Sequence, residues 1–440
     1  MNIENKQPDG VPETVSKLPR GFVSLGSIPF RWFLVGHLSF FLAMQGLVLV
    51  RSLLAWDLTK SEMSLAYINL SVAVPMVIGS LIGGAVTDRM ERKRLVVIGQ
   101  TVILGCEGLI LALILLEQIA FWHMVVTAFM VGCAFPFVMP ARMAIVYDIV
   151  GRQHLANALA LSAGANNLAR VLGPALSGIM IHFFSLKGAY VLSIALYVLA
   201  SICMLRLPAC HPTRHDDKSL FADMLYGFRY VTGHRPIFLC LIFGMFPMLI
   251  VMPVQNLLVV FTDEVWRTGQ SGLGLMMTIM GIGGVIGALW VARMPHNARR
   301  VNLMITTTLA FAVFLGVFSL TPSFTLALVP LLIANIFGNA SQTLNNTILQ
   351  LLVADNIRGR MSSFIMLTFG LTPLGVLPIA YLAERIGAPI AVFYACLVLV
   401  LIVLGFYFFS PTLRHLDEQA LEAPLTRPPI RFGKRQAGAE

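Results

Sequence analysis

The chain has 440 residues, of which 57% are apolar and only 12% charged, with a net charge of +10 and a mean hydropathy of +0.81. Soluble domains carry about a quarter charged residues, so the composition excludes an ordinary soluble enzyme and points to a membrane protein. The positive balance would also suit nucleic acid, but the placement of the cations argues for membrane topology instead.

The first 29 residues are polar and dotted with Pro and Gly, so they are expected to form a cytoplasmic tail with no cleavable signal peptide. About a dozen apolar stretches of ~20 residues follow, each long enough to cross a ~30 Å hydrocarbon core as a helix. The expected spans are 30–56, 66–87, 95–116, 119–140, 157–183, 187–206, 236–261, 271–293, 301–321, 325–350, 361–383 and 387–410. The fold class expected is therefore an all-α polytopic membrane protein of 12 transmembrane helices. A six-span half (30–206), a cytoplasmic linker (207–235), a second six-span half (236–410) and a cytoplasmic tail (411–440) follow from it. With the N-terminus inside, Lys60, Lys187, Arg267 and Arg385 fall on outer loops and Arg51 and Arg170 within spans, while the remaining cations are cytoplasmic. Cations in short loops beside a span mark the inner side, so both termini are expected there.

Residues 84–94 make the sharpest edge between membrane and water: Gly84, then Asp88, then Arg89, Arg92, Lys93 and Arg94. An acid at a span end is costly near lipid unless a cation or a helix N-terminus faces it. Asp88 can accept from the N-terminus of span 11 near Met361–Ser363, and Arg92 can pair with Asp148, with Arg142 close enough in sequence to join. Such a latch would tie the inner faces together; the alternative is that these charges only fix topology.

Within the spans, Arg170 sits three residues before Gly173 and needs an anion or a wet cavity at that depth. It can bind an anionic substrate group, pair with an acid, or point to a wet helix end. Glu107 is the acid deepest in an apolar run and suits a proton carrier if buried, with Asp57 and Asp148 as rivals near the two ends of the path. Gly173-Pro174-x2-Ser177-Gly178 lets another helix approach closely and frees a backbone carbonyl. Span 10 has the clearest period: Asn335, Asn339, Gln342, Asn346 and Gln350 share one helical face. Amides in lipid must be satisfied, so the stripe faces a cavity or another helix.

In the linker, Phe221, Met224, Leu225, Phe228 and Val231 follow a helical period beside Arg229, His234 and Arg235, as an amphipathic helix on the inner membrane surface would. Five cysteines lie in spans and behave as small hydrophobes. Cys210, His211, His215 and Asp216 match no standard zinc spacing, and a solvated loop is the better reading. There is no Walker loop, no G-x-G-x-x-G before a helix, and no CxxC or HExxH. No cofactor, metal or enzymatic activity is expected, and transport must draw on an ion gradient or run downhill. Gly281-x-Gly283-Gly284 in span 8 reads as helix packing.

The halves echo each other. Tyr147-Asp148-Ile-Val-Gly-Arg152 with Gly173-Pro174 answers Asp355-Asn-Ile-Arg358-Gly-Arg360 with Pro373-Leu-Gly375. Two like halves with these loops on the same side imply parallel halves related by an axis along the membrane normal.

Gly84-x3-Asp88-Arg89-x2-Arg92-Lys93 resembles the loop 2–3 signature of the major facilitator superfamily. Four further stretches look like its branch of putative exporters, which includes enterobactin exporters and macrolide-efflux proteins. They are Trp56-Asp-Leu-Thr-Lys-Ser61, Met139-Pro-Ala-Arg142 leading into Ala156-Asn-Ala158-Leu, Leu168-Ala-Arg170-Val-Leu-Gly173-Pro174-Ala-Leu-Ser-Gly178, and Arg358-Gly-Arg360-Met-Ser-Ser363. The resemblance covers about residues 30 to 410. It departs at Glu91, where the signature usually has glycine, and after span 8, where Arg293, Arg299 and Arg300 come without an acid.

The resemblance implies alternating access in a bacterial cytoplasmic membrane by a monomer, with Gly84, Asp88, Arg89, Arg92, Lys93, Arg142, Asp148, Arg358 and Arg360 as gating residues. Glycine–proline patterns like that of Gly173, Pro174 and Gly178 mark exporters there, although a packing bend would look the same. Spans 1, 4, 7 and 10 line the family's cavity. That adds Gln45, His37, Phe135, Phe137, Met245, Phe246, Met248 and Met252 to the span 10 amides, a lining suited to a bulky amphipathic guest. The function expected is export of a drug, siderophore or lipid-like metabolite by proton antiport. Uptake by the same fold and a non-transporting scaffold or sensor are the alternatives.

Overall fold

A computed structural model describes residues 20–209, 232–294, 299–352 and 373–410, and among them every regular element is helical. A short 3₁₀ turn, Arg20–Gly26, leads to α1 (Ile28–Thr59), which starts where Ser27 caps the Phe30 amide and proline occupies the first turn. It ends at Lys60, in the left-handed region with φ of 50°. Then follow α2 (Glu62–Arg89), α3 (Arg92–Leu115) and the long α4 (Phe121–Leu205). Non-helical backbone at Gly151 (φ 66°) and Ser185 (φ 60°) breaks α4 into three stretches.

The break at Ser185 falls between the fifth and sixth expected spans. The stretch after span 4 differs from expectation: the helix continues past Pro140 to Gly151, so Arg142 and Asp148 lie on helix and not in a loop. Nothing between those two residues breaks a helix, and Gly151 supplies the positive φ that ends it.

In the remainder, α5 (Arg235–Val260) runs into a π-helical turn, Phe261–Val265, and is followed by α6 (Gly269–Ala292), α7 (Arg300–Leu320), α8 (Phe324–Leu352), α9 (Pro373–Ile386) and α10 (Ala388–Phe409). Ten helical stretches among the described residues are long and apolar enough to cross a membrane. The expected amphipathic helix, Cys210–Asp216, Met361–Ser363, Arg358 and Arg360 lie outside the described residues.

The chain forms two compact units. The first holds α1, most of α2, α3, α4 and the opening of α6 (Gly269–Thr278). Its core joins Phe30, Phe33, Val96, Ile145, Ala158 and Met204, so α1 and α3 both pack on α4. The second holds Ser61–Ala66, α5, the rest of α6, and α7 to α10. There Ala66, Val376 and Ala380 form a small apolar cluster, and Phe406 of α10 stacks edge-on to Phe243 and Phe246 of α5.

Candidate functional site

Three groups of polar residues stand out in the first unit. At the N-terminal end of α3, the Arg92 guanidinium donates to Asp148 Oδ1 at 2.6 Å, joining α3 to the first stretch of α4. Lys93 beside it donates to the Leu205 carbonyl at 2.9 Å and to that of Leu207, where a cation suits the α4 C-terminus. Gly84, Asp88 and Arg89 belong to α2 by backbone, and their side chains lie outside the described residues.

Arg142 does not join that pair. Six residues before Asp148 it points about 120° around the helix, and it is buried at 1% exposure. Its Nη2 lies 3.4 Å from His37 Nδ1, and its Cζ sits 5.8 and 4.6 Å from the Phe33 and Phe40 ring centres.

The third group is an ion pair between Arg51 of α1 and Glu107 of α3. Glu107 is fully buried and its Oε2 has no hydrogen-bond partner, while the Arg51 side chain keeps 21% exposure. Tyr190, on the last stretch of α4, is also fully buried and its hydroxyl is unpartnered. Asp57 is exposed and lies 3.6 Å from Lys60.

Glycine explains how the helices meet. A side chain at Gly173 would meet the Leu42 carbonyl at 2.9 Å and Gln45 Cβ at 2.8 Å, so α1 rests directly on the Gly173-Pro174 stretch and half-buried Gln45 packs there. A side chain at Gly178 would meet the Gly274 Cα at 3.2 Å. Arg170, on the same stretch, has an exposed side chain. Phe135 and Phe137 are both half-buried, but two residues apart on a helix they point about 200° apart and cannot line one wall together.

In the second unit the amide stripe splits into two uses. Asn335 and Asn339 donate to the carbonyls of Leu331 and Asn335, at 2.9 and 3.1 Å, on their own helix. Both pack on α6 at Gly283 and Gly284, so the upper stripe serves helix contact. Gln342 instead reaches across to α5, its Nε2 lying 3.9 Å from Met248 Sδ. Asn346 is half-buried, and the side chains of Gln350 and Met252 lie outside the described residues.

Two polar residues here escaped the sequence reading. Asn345 is buried against Gly244 of α5, one position off the stripe. Glu62, buried in the first turn of α2, lines a small pocket with Asn256, Pro253, Val376 and Ala380. Its first-turn position is the signal that was available, because helix N-terminal amides favour an acid there.

The described helical stretches that can span a membrane, packed through close glycine contacts, make a multi-pass all-helical protein. Residues 36–434 match the family model of transmembrane secretion effectors, and the chain belongs to that family. Among curated relatives, the enterobactin exporter EntS of Shigella boydii and that of Escherichia coli are each 26% identical over 65% of this chain and 68% of theirs. Among solved structures, a mutant form of the nucleoside transporter NupG superposes with a TM-score of 0.72 at 14% identity, over 86% of this chain and 100% of its own. A POT family transporter in complex with a thioalcohol-conjugated peptide gives 0.72 at 12%, over 91% of this chain and 100% of its own. The last two likenesses speak for fold alone.

Proposed function

We propose that the chain exports a small amphipathic molecule by alternating access, driven by proton antiport, as a monomer in a bacterial cytoplasmic membrane with both termini inside. The observation that carries this reading is the match of residues 36–434 to transmembrane secretion effectors, supported by relatives that are exporters of a siderophore. Twelve crossings in two six-helix halves fit it. At 1.5 Å per residue, Asn157–Leu205 measures about twice the hydrocarbon thickness. Its break at Ser185 therefore suits two crossings, and the apolar sequence of 361–383 is long enough for one more.

Glu107 is the proposed proton carrier, held by Arg51 and reached through its unpartnered oxygen. In the second unit Gln342 with Met248 and Asn346 are the proposed substrate contacts; in the first, taken by itself, Gln45 is a candidate and Arg92 with Asp148 the described part of the inner gate. Phe135, Phe137 and Arg170 remain secondary candidates.

The test is efflux of labelled amphiphiles, enterobactin included, from cells expressing the chain, with and without a protonophore and beside Asp88→Asn. Extrusion that stops with protonophore and in the variant supports gated, proton-driven export. Accumulation in place of extrusion would replace export by uptake.

A further inference from the structure

We infer that Arg142 and His37 form a binding site for an oxyanion, the charged head group of an amphiphile carried by this transporter. This rests on the export reading above and adds the substrate's charge to it.

A guanidinium does not deprotonate in proteins and offers only donors. At 1% exposure Arg142 has one polar contact, from Nη2 to His37 Nδ1 at 3.4 Å. Because arginine can only donate, a hydrogen bond here requires Nδ1 as acceptor, the tautomer with its proton on Nε2. His37 therefore brings no countercharge. Among the described residues the Nε and Nη1 of Arg142 and the Nε2 of His37 have no hydrogen-bond partner, and no carboxylate pairs with Arg142.

The Phe33 and Phe40 ring faces offset part of the desolvation of the cation. They supply no oxygen to the N–H groups. Asn166, on the 157–205 stretch, faces His37 together with Ser162, and its Oδ1 is unpartnered too. A small ring shift would satisfy His37 Nε2 there, leaving the guanidinium N–H groups as the donors in need of oxygen.

The contrast within the unit is what decides. Arg51, the other guanidinium paired at depth, has Glu107 built in. Arg142 has no such anion among the described residues, and an unpaired buried charge is strongly destabilising. Phe33, Phe40 and Phe41, whose ring centre lies 4.7 Å from that of His37, add aromatic walls beside the charge. Together they fit an acidic head with an apolar body.

The probes are decanoate, decanol, decylammonium and acetate, added at equal concentration to the purified full chain in neutral detergent. Decanoate alone is expected to raise the melting temperature saturably. The shift should persist, at higher concentration, in Arg142→Lys and vanish in Arg142→Gln. Decanoate should also shield Arg142 from phenylglyoxal, read by peptide mapping, which needs no variant and stands if Arg142→Gln does not fold. Equal stabilisation by decanol or acetate, survival of the shift in Arg142→Gln, or unprotected Arg142 would each overturn the site. Decanoate bound through Arg142 by a chain that moves no amphiphile would sink the export reading and leave the site standing.

Discussion

Arg51 and Glu107 pair across 56 positions of sequence, joining α1 to α3 inside an apolar bundle. Burying two charges is repaid only when they meet, and removal of one strands the other. Glu107→Gln is therefore expected to cost roughly 3 kcal/mol of stability. The double variant Arg51→Met/Glu107→Gln should recover much of that loss. Melting of the four proteins of this cycle gives the coupling. If the pair also carries protons, export by the recovered double variant will no longer respond to protonophore, whereas a purely structural pair leaves that response intact.

The Arg92–Asp148 pair makes a different kind of contact, between the N-terminal end of α3 and the first stretch of α4. Pairs of this sort contribute about 1 kcal/mol or less to stability. Arg92→Asp alone is expected to leave melting nearly unchanged and to impair transport. The exchange Arg92→Asp/Asp148→Arg should restore transport in part, and raised salt should mimic the loss. An exchange variant as impaired as its single parents would remove the pair from the gate.

Glycine contacts predict a graded series. At Gly287 a side chain would run into the Ile336 carbonyl, and at Gly173 into that of Leu42 at 2.9 Å. Backbone cannot step aside, so alanine at either site is expected to cost about 1–3 kcal/mol. At Gly244 the obstacle is the Asn345 amide, which can turn. Gly244→Ala should be the mildest of the three, and milder still with Asn345→Ala. Detergent melting of these variants reads the order.

Gln342 is expected to matter more to binding than Asn335. The Asn335 amide donates to its own helix, while Gln342 spans to Met248. Gln342→Leu should weaken export at low substrate with expression unchanged, and Asn335→Leu should lower expression instead. The reverse pattern would place the guest on the upper stripe.

The helices, the break near Ser185 and the glycine approaches were legible because hydropathy and small residues are local signals. Partnership was not. Arg51 reads in sequence only as a cation within a span, since its acid lies on another helix at no fixed spacing. Arg142 reads as one more inner-face cation beside Asp148, although six residues of helix turn it the other way, into Phe33, His37 and Phe40. Asn345 fell outside the span 10 stripe because a buried amide facing a glycine breaks the period that made the stripe visible. Periodicity finds a face, and only packing says what the face meets.

Gly178 and Gly274 touch through bare backbone, their Cα carbons standing where side chains would otherwise interlock. Ridges set into grooves hold two helices at a fixed crossing angle, and any swing must lift one set of rotamers over another. Where neither helix carries a ridge, that barrier is missing. The contact sets how closely the two helices approach, with no interlocked side chains at that point to hold their angle. For the alternating access proposed above such a point is best kept smooth, and a single methyl group there is expected to act as a brake.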